Sequence, residues 1–348
     1  MKLNKFLHLL FAFTLLLGIA SCSSDNNVDD NTVFYGNGFL IANEGKYGTP
    51  SAEVTFVTPD LALKQDNIFS FNNGGAKLGD VLQSISVYGD KAYLLLNNSN
   101  KIQIVNRGDF KANGEITAQL NNPRYMAFAN NNIYVTNDKY QGDKYVSIYK
   151  VSDRSFVKKI TFTDAVERIV EAQGNIFVQN ASFGFGNKIT MINTSTNDIQ
   201  TTITLPNGNI NKIIANNQNV YAVAAGTTDS YIYQISGTGN ITKTTTLTGI
   251  ANAKNLEISN GKYYFTSGKN VYKMDMTATA APTSPLFTVA NGVDQYSPLY
   301  GFSVVNDMIF TSDSNGFTQA STIVVYNTLG SAIKTFSAGI GANGVYWN

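Results

Sequence analysis

The sequence predicts an all-β protein: a seven-bladed β-propeller with four antiparallel strands per blade, closed by a C-terminal strand that completes blade one. Three observations support this fold class. A strand-rich unit recurs about every 43 residues, the composition is 43% hydrophobic but only 14% charged, and the two ends of the repeat region complement each other. The predicted propeller comprises residues 33–348.

The repeated unit is a small turn followed by an apolar strand that carries an aromatic anchor. From the second anchor onward the spacing is 41 to 46 residues, whereas the first gap is 54. One apolar strand precedes the anchor strand and two more follow it, and no helical periodicity is seen after residue 22. A flat solenoid is the competing repeat architecture, but it needs capping repeats, and none is visible. The anchors are Phe39, Tyr93, Tyr134, Phe177, Tyr221, Tyr264 and Phe310.

The ends of the repeat region predict how the ring closes. The first unit begins at its anchor strand and lacks the preceding inner strand, whereas the final segment "NGVYWN" reads as an inner strand with no anchor strand after it. Pairing residues 343–347 beside residues 39–42 completes blade one and removes exposed sheet edges. This pairing also explains why Trp347, the only tryptophan, stands near the chain end.

The first 32 residues predict export and anchoring. Residues 1–21 have a positive start and an apolar run too short to span a bilayer, so we expect a signal peptide. "GIASC" resembles a bacterial lipobox, which makes Cys22 the predicted lipidation site; an ordinary secretory signal is the alternative. Residues 22–32 read as a flexible acidic tether similar to the export signals of Bacteroidetes surface lipoproteins. We therefore expect an outer-membrane lipoprotein exposed at the cell surface.

Composition excludes several kinds of chemistry. His8 in the leader is the only histidine and Cys22 the only cysteine, so catalytic triads, disulfides and His-ligated metal sites are excluded from the propeller. The net charge is +1 and no basic block stands out, which argues against a nucleic-acid partner. An oxygen-ligand Ca²⁺ site at "DSNG" (residues 313–316) is conceivable, but a turn is favoured. We expect no cofactor, no metal and no catalytic residue.

Candidate binding residues follow from propeller geometry, in which the start of each inner strand and the loop after each anchor strand emerge on one face. Aromatic side chains beside Asn, Asp, Arg and Lys at these positions suit a large polar ligand with hydrophobic faces. For any single residue, a structural role in the loop is the alternative. The candidates are Asn43, Glu44, Tyr47, Arg124, Tyr125, Asn137, Tyr140, Arg168, Phe183, Phe185, Lys212, Asp229, Lys254, Tyr300, Asp313 and Phe317.

Three segments carry a family resemblance: "NEGKYG" from residue 43, "GDKAYLLLNNSNKIQIVN" from residue 89 and "NNPRYMAF" from residue 121. With them the chain resembles the YncE-like β-propeller surface lipoproteins of Bacteroidetes, a group that includes a cobamide-capturing lipoprotein. The resemblance implies a non-enzymatic protein that captures a nutrient, with a corrinoid as the best guess, and passes it to a TonB-dependent outer-membrane transporter. Because the propeller lacks histidine, capture would use shape, stacking and hydrogen bonds.

Two alternatives remain open on the sequence alone. One is a carboxylate- or Ca²⁺-dependent hydrolase or lyase acting on glycans or lactones, with Glu44, Glu167, Asp229 and Asp313 as candidates. It requires two carboxylates close together at the propeller mouth. The other is a protein-binding or adhesive surface scaffold, which requires a flat apolar patch in place of a recess.

Overall fold

Within residues 33–294 and 297–348, which the computed structural model describes, seven four-stranded antiparallel sheets form the blades of a β-propeller. The innermost strands contact one another in sequence around a ring. The predicted fold class is therefore confirmed. Residues 34–348 form one unit, and the predicted signal peptide, the tether and Cys22 lie outside the described residues. In the described part of the chain, no helix is long and apolar enough to cross a membrane.

Every blade consists of four strands, in order from the innermost strand outward. Blade one comprises β28 (Ala342–Trp347), β1 (Phe39–Asn43), β2 (Glu53–Val57) and β3 (Lys64–Gln65). Blade two comprises β4 (Leu82–Tyr88), β5 (Lys91–Leu96), β6 (Lys101–Asn106) and β7 (Ala112–Ile116). Blade three comprises β8 (Pro123–Ala129), β9 (Asn132–Asp138), β10 (Lys144–Lys150) and β11 (Phe156–Phe162). Blade four comprises β12 (Ile169–Ala172), β13 (Asn175–Ser182), β14 (Phe185–Asn193) and β15 (Asp198–Thr204). Blade five comprises β16 (Asn209–Asn216), β17 (Asn219–Ala225), β18 (Ser230–Ser236) and β19 (Ile241–Leu247). Blade six comprises β20 (Lys254–Ser259), β21 (Lys262–Ser267), β22 (Asn270–Asp275) and β23 (Phe287–Thr288). Blade seven comprises β24 (Gly301–Val305), β25 (Met308–Asp313), β26 (Thr322–Asn327) and β27 (Ala332–Ser337).

The core lies between neighbouring blades, because each sheet buries side chains on both of its faces. All five residues of β1 are buried, whereas most of the outer strand β15 is exposed. One apolar cluster joins Phe39 and Ile41 of blade one to Phe310 and Ile323 of blade seven. Each aromatic anchor lies in a core cluster that joins two neighbouring blades.

The ring closes in the predicted way. Strand β28 pairs antiparallel with β1, with Phe39 opposite Trp347 and Leu40 opposite Tyr346. The side chain of Asn348 is buried; its amide nitrogen donates to the carbonyl of Tyr35 at 2.6 Å, and its Oδ1 accepts from Nε of Arg107.

The described structure contains a short α-helix, whereas the sequence showed no helical periodicity. Helix α1 (Ile68–Asn72) lies in the connection between β3 and β4, which explains the longer first gap in the repeat. It buries Ile68 and Phe69, and the side chains of Asn72 and Asn73 donate to the carbonyls of those two residues at 2.7 Å. Five residues are too few to produce a visible 3.6-residue period, so the pattern missed this helix.

Candidate functional site

Two recesses open on the same face of the propeller, which we call the rim face. Both are lined by residues at the starts of inner strands and by loops that follow second strands, as propeller geometry predicts. Recess one, of about 1270 Å³, lies over blades one to four, and its walls include Tyr47, Arg124, Glu167, Tyr140, Phe183 and Phe185. Recess two, of about 770 Å³, lies over blades six and seven, and its walls include Lys254, Lys269, Asn291, Asp294, Tyr300 and Phe317.

Four aromatic side chains stand around recess one with little protein contact. Tyr47, Tyr140, Phe183 and Phe185 are each between 77% and 83% exposed. Phe183 also has a backbone φ of +51°, in the left-handed region that a bulky residue rarely adopts. Phe183 and Gly184 form the two-residue turn between β13 and β14, and such turns require positive φ at both positions. The exposure of the four aromatic rings costs free energy that no packing in the described structure offsets. Large exposed apolar groups beside a recess are typical of surfaces that bind a ligand or another protein.

The floor of recess one holds an ion pair that links two blades. The guanidinium of Arg124 donates to Glu167 twice, from Nε to Oε2 at 3.0 Å and from Nη2 to Oε1 at 2.7 Å, and Nη1 donates to Gln83 Oε1 at 2.6 Å. Burial disfavours the charged form of Arg124 and by itself lowers its pKa. The charge and the hydrogen bonds of Glu167 together have the larger effect, so the pKa of Arg124 is raised. Burial also raises the pKa of Asp138 nearby, although the backbone N–H of Val166 donates to this carboxylate.

Asparagines hold the loops around this floor, and most of them were missed by the sequence reasoning. Asn97 donates to the carbonyl of Pro123, and Asn100 accepts from the backbone N–H of Asn122. Asn100 and Asn122 adopt left-handed backbone at φ of +49° and +50°, where asparagine is tolerated. The paired asparagines "NN" that follow β5 and precede β8 are the signal that could have identified them.

Three of the predicted binding residues face the channel at the centre of the ring and line neither recess. The Arg168 guanidinium lies over the Tyr125 ring, 4.3 Å from its centroid. Lys212 is buried and its Nζ donates to Glu257 Oε1 at 2.6 Å. Burial lowers the pKa of Lys212 despite the attraction of Glu257. These contacts connect neighbouring blades, which is the structural alternative for such residues.

Glu44 lies at the back of recess two, against the wall formed by Tyr300 and Phe317. Its Oε1 accepts from the hydroxyl of Tyr300 at 2.5 Å and from Nδ2 of Asn343 at 2.9 Å. Burial raises the pKa of the Glu44 carboxyl, an effect that these hydrogen bonds and Arg124 only partly oppose. Tyr300 meets Phe317 edge to face, with ring centroids 4.7 Å apart.

The remaining predicted residues make hydrogen bonds that join strands and loops of the propeller. Asn43 donates to Thr55 and accepts from the backbone N–H of Gly339, and Asn137 donates to Ser147. Asp229 accepts from the backbone N–H of Gly249, and Asp313 from that of Asn315. None of these four lines recess one or recess two.

The segment "DSNG" forms a turn that leads into a 3₁₀ turn at Asn315–Phe317, in agreement with the favoured interpretation. Over residues 33–294 and 297–348, no group of three or more Asp, Glu, His or Cys side chains is arranged to hold a metal ion.

Comparisons with solved structures agree on the fold. The computationally designed Ika8 protein aligns with a TM-score of 0.56 at 9% identity, covering 90% of this chain and 92% of that one. Hydrazine synthase of Kuenenia stuttgartiensis aligns with a TM-score of 0.52 at 12% identity, covering 74% and 89%. Dihydro-heme d1 dehydrogenase NirN, in complex with DHE, aligns with a TM-score of 0.54 at 11% identity, covering 90% and 76%. At these identities the likeness shows the fold alone.

Sequence comparison identifies the family. No protein with a curated description matches the chain. A family model does match, over residues 37–346, which is nearly the whole propeller from β1 to β28. The chain therefore belongs to the family described as Domain of unknown function (DUF5074).

Proposed function

We propose that this protein is a non-enzymatic, surface-exposed lipoprotein that captures a nutrient at recess one and passes it to a TonB-dependent outer-membrane transporter. The ligand we propose is a corrinoid. The observation that carries the proposal is the set of four exposed aromatic side chains around a recess of about 1270 Å³. Anchoring and transfer rest on the lipobox at Cys22 and on the resemblance to surface lipoproteins.

The size and lining of recess one favour a large ligand with both flat and polar parts. Small-molecule sites usually enclose about 300–1,000 Å³, so this recess suits a ligand larger than an ordinary metabolite. Tyr140, Phe183 and Phe185 supply faces for stacking, while the Arg124–Glu167 pair and the asparagine loops supply donors and acceptors. A corrin ring with amide side chains matches this combination. Since His8 is the only histidine, recognition would proceed without imidazole ligation of cobalt.

Calorimetry with cyanocobalamin and with cobinamide tests the proposal. We expect saturable binding at micromolar protein, weakened at least about tenfold when Phe183→Ser and Phe185→Ser are combined, because ring stacking on two aromatic side chains is lost. Phe71→Ser is the matched control, since Phe71 is 71% exposed but lines neither recess. Absence of heat with both corrinoids would remove the ligand from the proposal. Equal affinity in the Phe183/Phe185 variant would remove the site.

The hydrolase or lyase alternative receives less support from the carboxylates. Glu167 is held by Arg124, and Glu44 lies behind Tyr300. Asp229 accepts from the backbone N–H of Gly249 in another loop, and Asp313 from that of Asn315. These four carboxylates belong to four different blades, which lowers the case for paired acid and base catalysis between them. The scaffold alternative requires a flat apolar face, and the exposed aromatics instead surround a recess.

A further inference from the structure

Recess two differs from recess one in its charges and in how its aromatic wall is built. Lys254 and Lys269 stand on this recess, and neither ammonium lies within ion-pair distance of a carboxylate in the described residues. The polar partner seen for Lys269 is the amide oxygen of Asn291, at 2.5 Å from Nζ. Two cations therefore stand with one aspartate on this concave surface, whereas the lining of recess one has three basic and three acidic residues.

The aspartates near recess two are committed to backbone groups. Asp294 lines the recess, and its Oδ1 accepts from the backbone N–H of Ser297 at 2.9 Å. Asp313 lies behind the wall, and its Oδ1 accepts from the backbone N–H of Asn315 at 2.8 Å. Glu44 receives the Tyr300 hydroxyl. Among the described lining residues of recess two, Asp294 is thus the one carboxylate, and the two lysines face the same space.

The apolar wall of recess two is held by contacts within the protein. The Tyr300 hydroxyl is fixed on Glu44, and its ring meets Phe317 edge to face. Phe317 has a backbone φ of +60° and is 37% exposed, compared with 83% for Phe183 at recess one. By contrast Phe110, at φ of +56°, is fully buried, so packing can offset its strain.

We propose that recess two is a separate binding site for a small ligand that carries a carboxylate next to a planar apolar ring. Lys254 and Lys269 neutralise the carboxylate, and the Tyr300–Phe317 wall receives the ring. Ammonium groups bind carboxylates with charge-assisted hydrogen bonds, and an aromatic wall adds an edge or face contact to a ring. The site does not depend on the ligand of recess one.

Benzoate is the probe, and benzamide is its neutral counterpart. Saturation-transfer NMR on the purified protein measures both affinities. We expect benzoate to bind at least about fivefold more tightly than benzamide, and added salt to weaken only benzoate. Lys254→Gln combined with Lys269→Gln should reduce benzoate binding to the benzamide level, whereas Phe317→Leu should weaken both. Lys334→Gln is the matched control, because Lys334 is exposed on the outer strand β27.

Each outcome decides the proposal. Equal affinities for benzoate and benzamide, or a benzoate affinity unchanged in the double lysine variant, would overturn it. Corrinoid binding is measured on the same samples, and the lysine variant should leave it unchanged. If corrinoid binding weakens in parallel, the two recesses form one site and the separate site is disproved. If corrinoid binding is absent in every sample while benzoate behaves as expected, only the proposed function of recess one fails.

Discussion

The indole of Trp347 packs against the ring of Phe39, with centroids 5.0 Å apart and planes inclined by 76°. These two residues are also opposite each other in the pairing of β28 with β1. Phe39 is fully buried and touches Phe310 of blade seven, with ring centroids 4.8 Å apart. Contacts among these three aromatic rings thus join the first and last strands of the propeller, β1 and β28, to blade seven.

Trp347→Ala should lower the free energy of unfolding by about 2 kcal/mol. This is below the roughly 3–5 kcal/mol of a fully buried aromatic, because 37% of Trp347 is exposed. Urea denaturation monitored by circular dichroism measures the change. Leu329→Ala, at a position 78% exposed, should change stability by less than about 0.5 kcal/mol. A Trp347 variant as stable as the Leu329 variant would show that the contact does not hold the ring.

Arg124→Met should destabilise the fold by about 3 kcal/mol, because it leaves the Glu167 carboxylate without its partner in a mostly buried site. The exposed pair Lys188–Asp164 is the matched control, and Lys188→Met should cost less than about 1 kcal/mol. Replacing Arg124 and Glu167 together should cost less than the sum of the single changes. Additive losses in a double-mutant cycle, measured by urea denaturation, would contradict the coupling.

Glu44 should make the fold less stable as the pH rises. Burial raises the pKa of its carboxyl above the ordinary value of 4.5, so between these two values the native state binds more protons than the unfolded chain. The free energy of unfolding therefore falls from pH 4.5 up to the native pKa, and the penalty is absent below 4.5.

Glu44→Gln should remove that fall, so the stability difference between the variant and the native protein should grow as the pH rises above 4.5 and become constant once Glu44 is ionised in the native state. Chemical denaturation at several pH values measures this difference. Tyr300→Phe provides a second check, because it removes a hydrogen bond that lowers the pKa of Glu44 and should extend the fall to higher pH. A difference between Glu44→Gln and the native protein that is constant with pH would refute this assignment.

Gly186→Ala should disturb the loop that presents Phe185. Gly186 has φ of +109°, and an added Cβ would lie 2.5 Å from the carbonyl oxygen of Asn180. Gly184 is the matched control, because at φ of +81° it has nothing within 4 Å of an added Cβ. Gly184→Ala should cost about 1 kcal/mol of backbone strain, and Gly186→Ala clearly more. Thermal unfolding of both variants compares them, and equal melting temperatures would show that the close approach to Asn180 carries no cost.

The blades could be predicted from the sequence because the strand-rich unit repeats at a regular spacing. The closure could be predicted because the first unit lacks an inner strand and the final segment supplies one. Helix α1 and the two-residue strands β3 and β23 are too short for such patterns. The pairing of Arg124 with Glu167 was within reach, since the two residues stand 43 positions apart, one repeat, and carry opposite charges. The burial of Lys212 could not be predicted from the sequence, because it depends on how far the start of β16 extends into the channel.

The closure of blade one also affects the order of folding. Asn348 and Tyr35, which are joined by a hydrogen bond, stand 313 positions apart in the chain. Closing a loop of that length costs about 5 kcal/mol of chain entropy, and contacts this distant form late. During synthesis, the newly made β1 must therefore wait with an unpaired edge while six further blades assemble. An intermediate with that edge open is where we expect chaperones to bind and misfolding to begin.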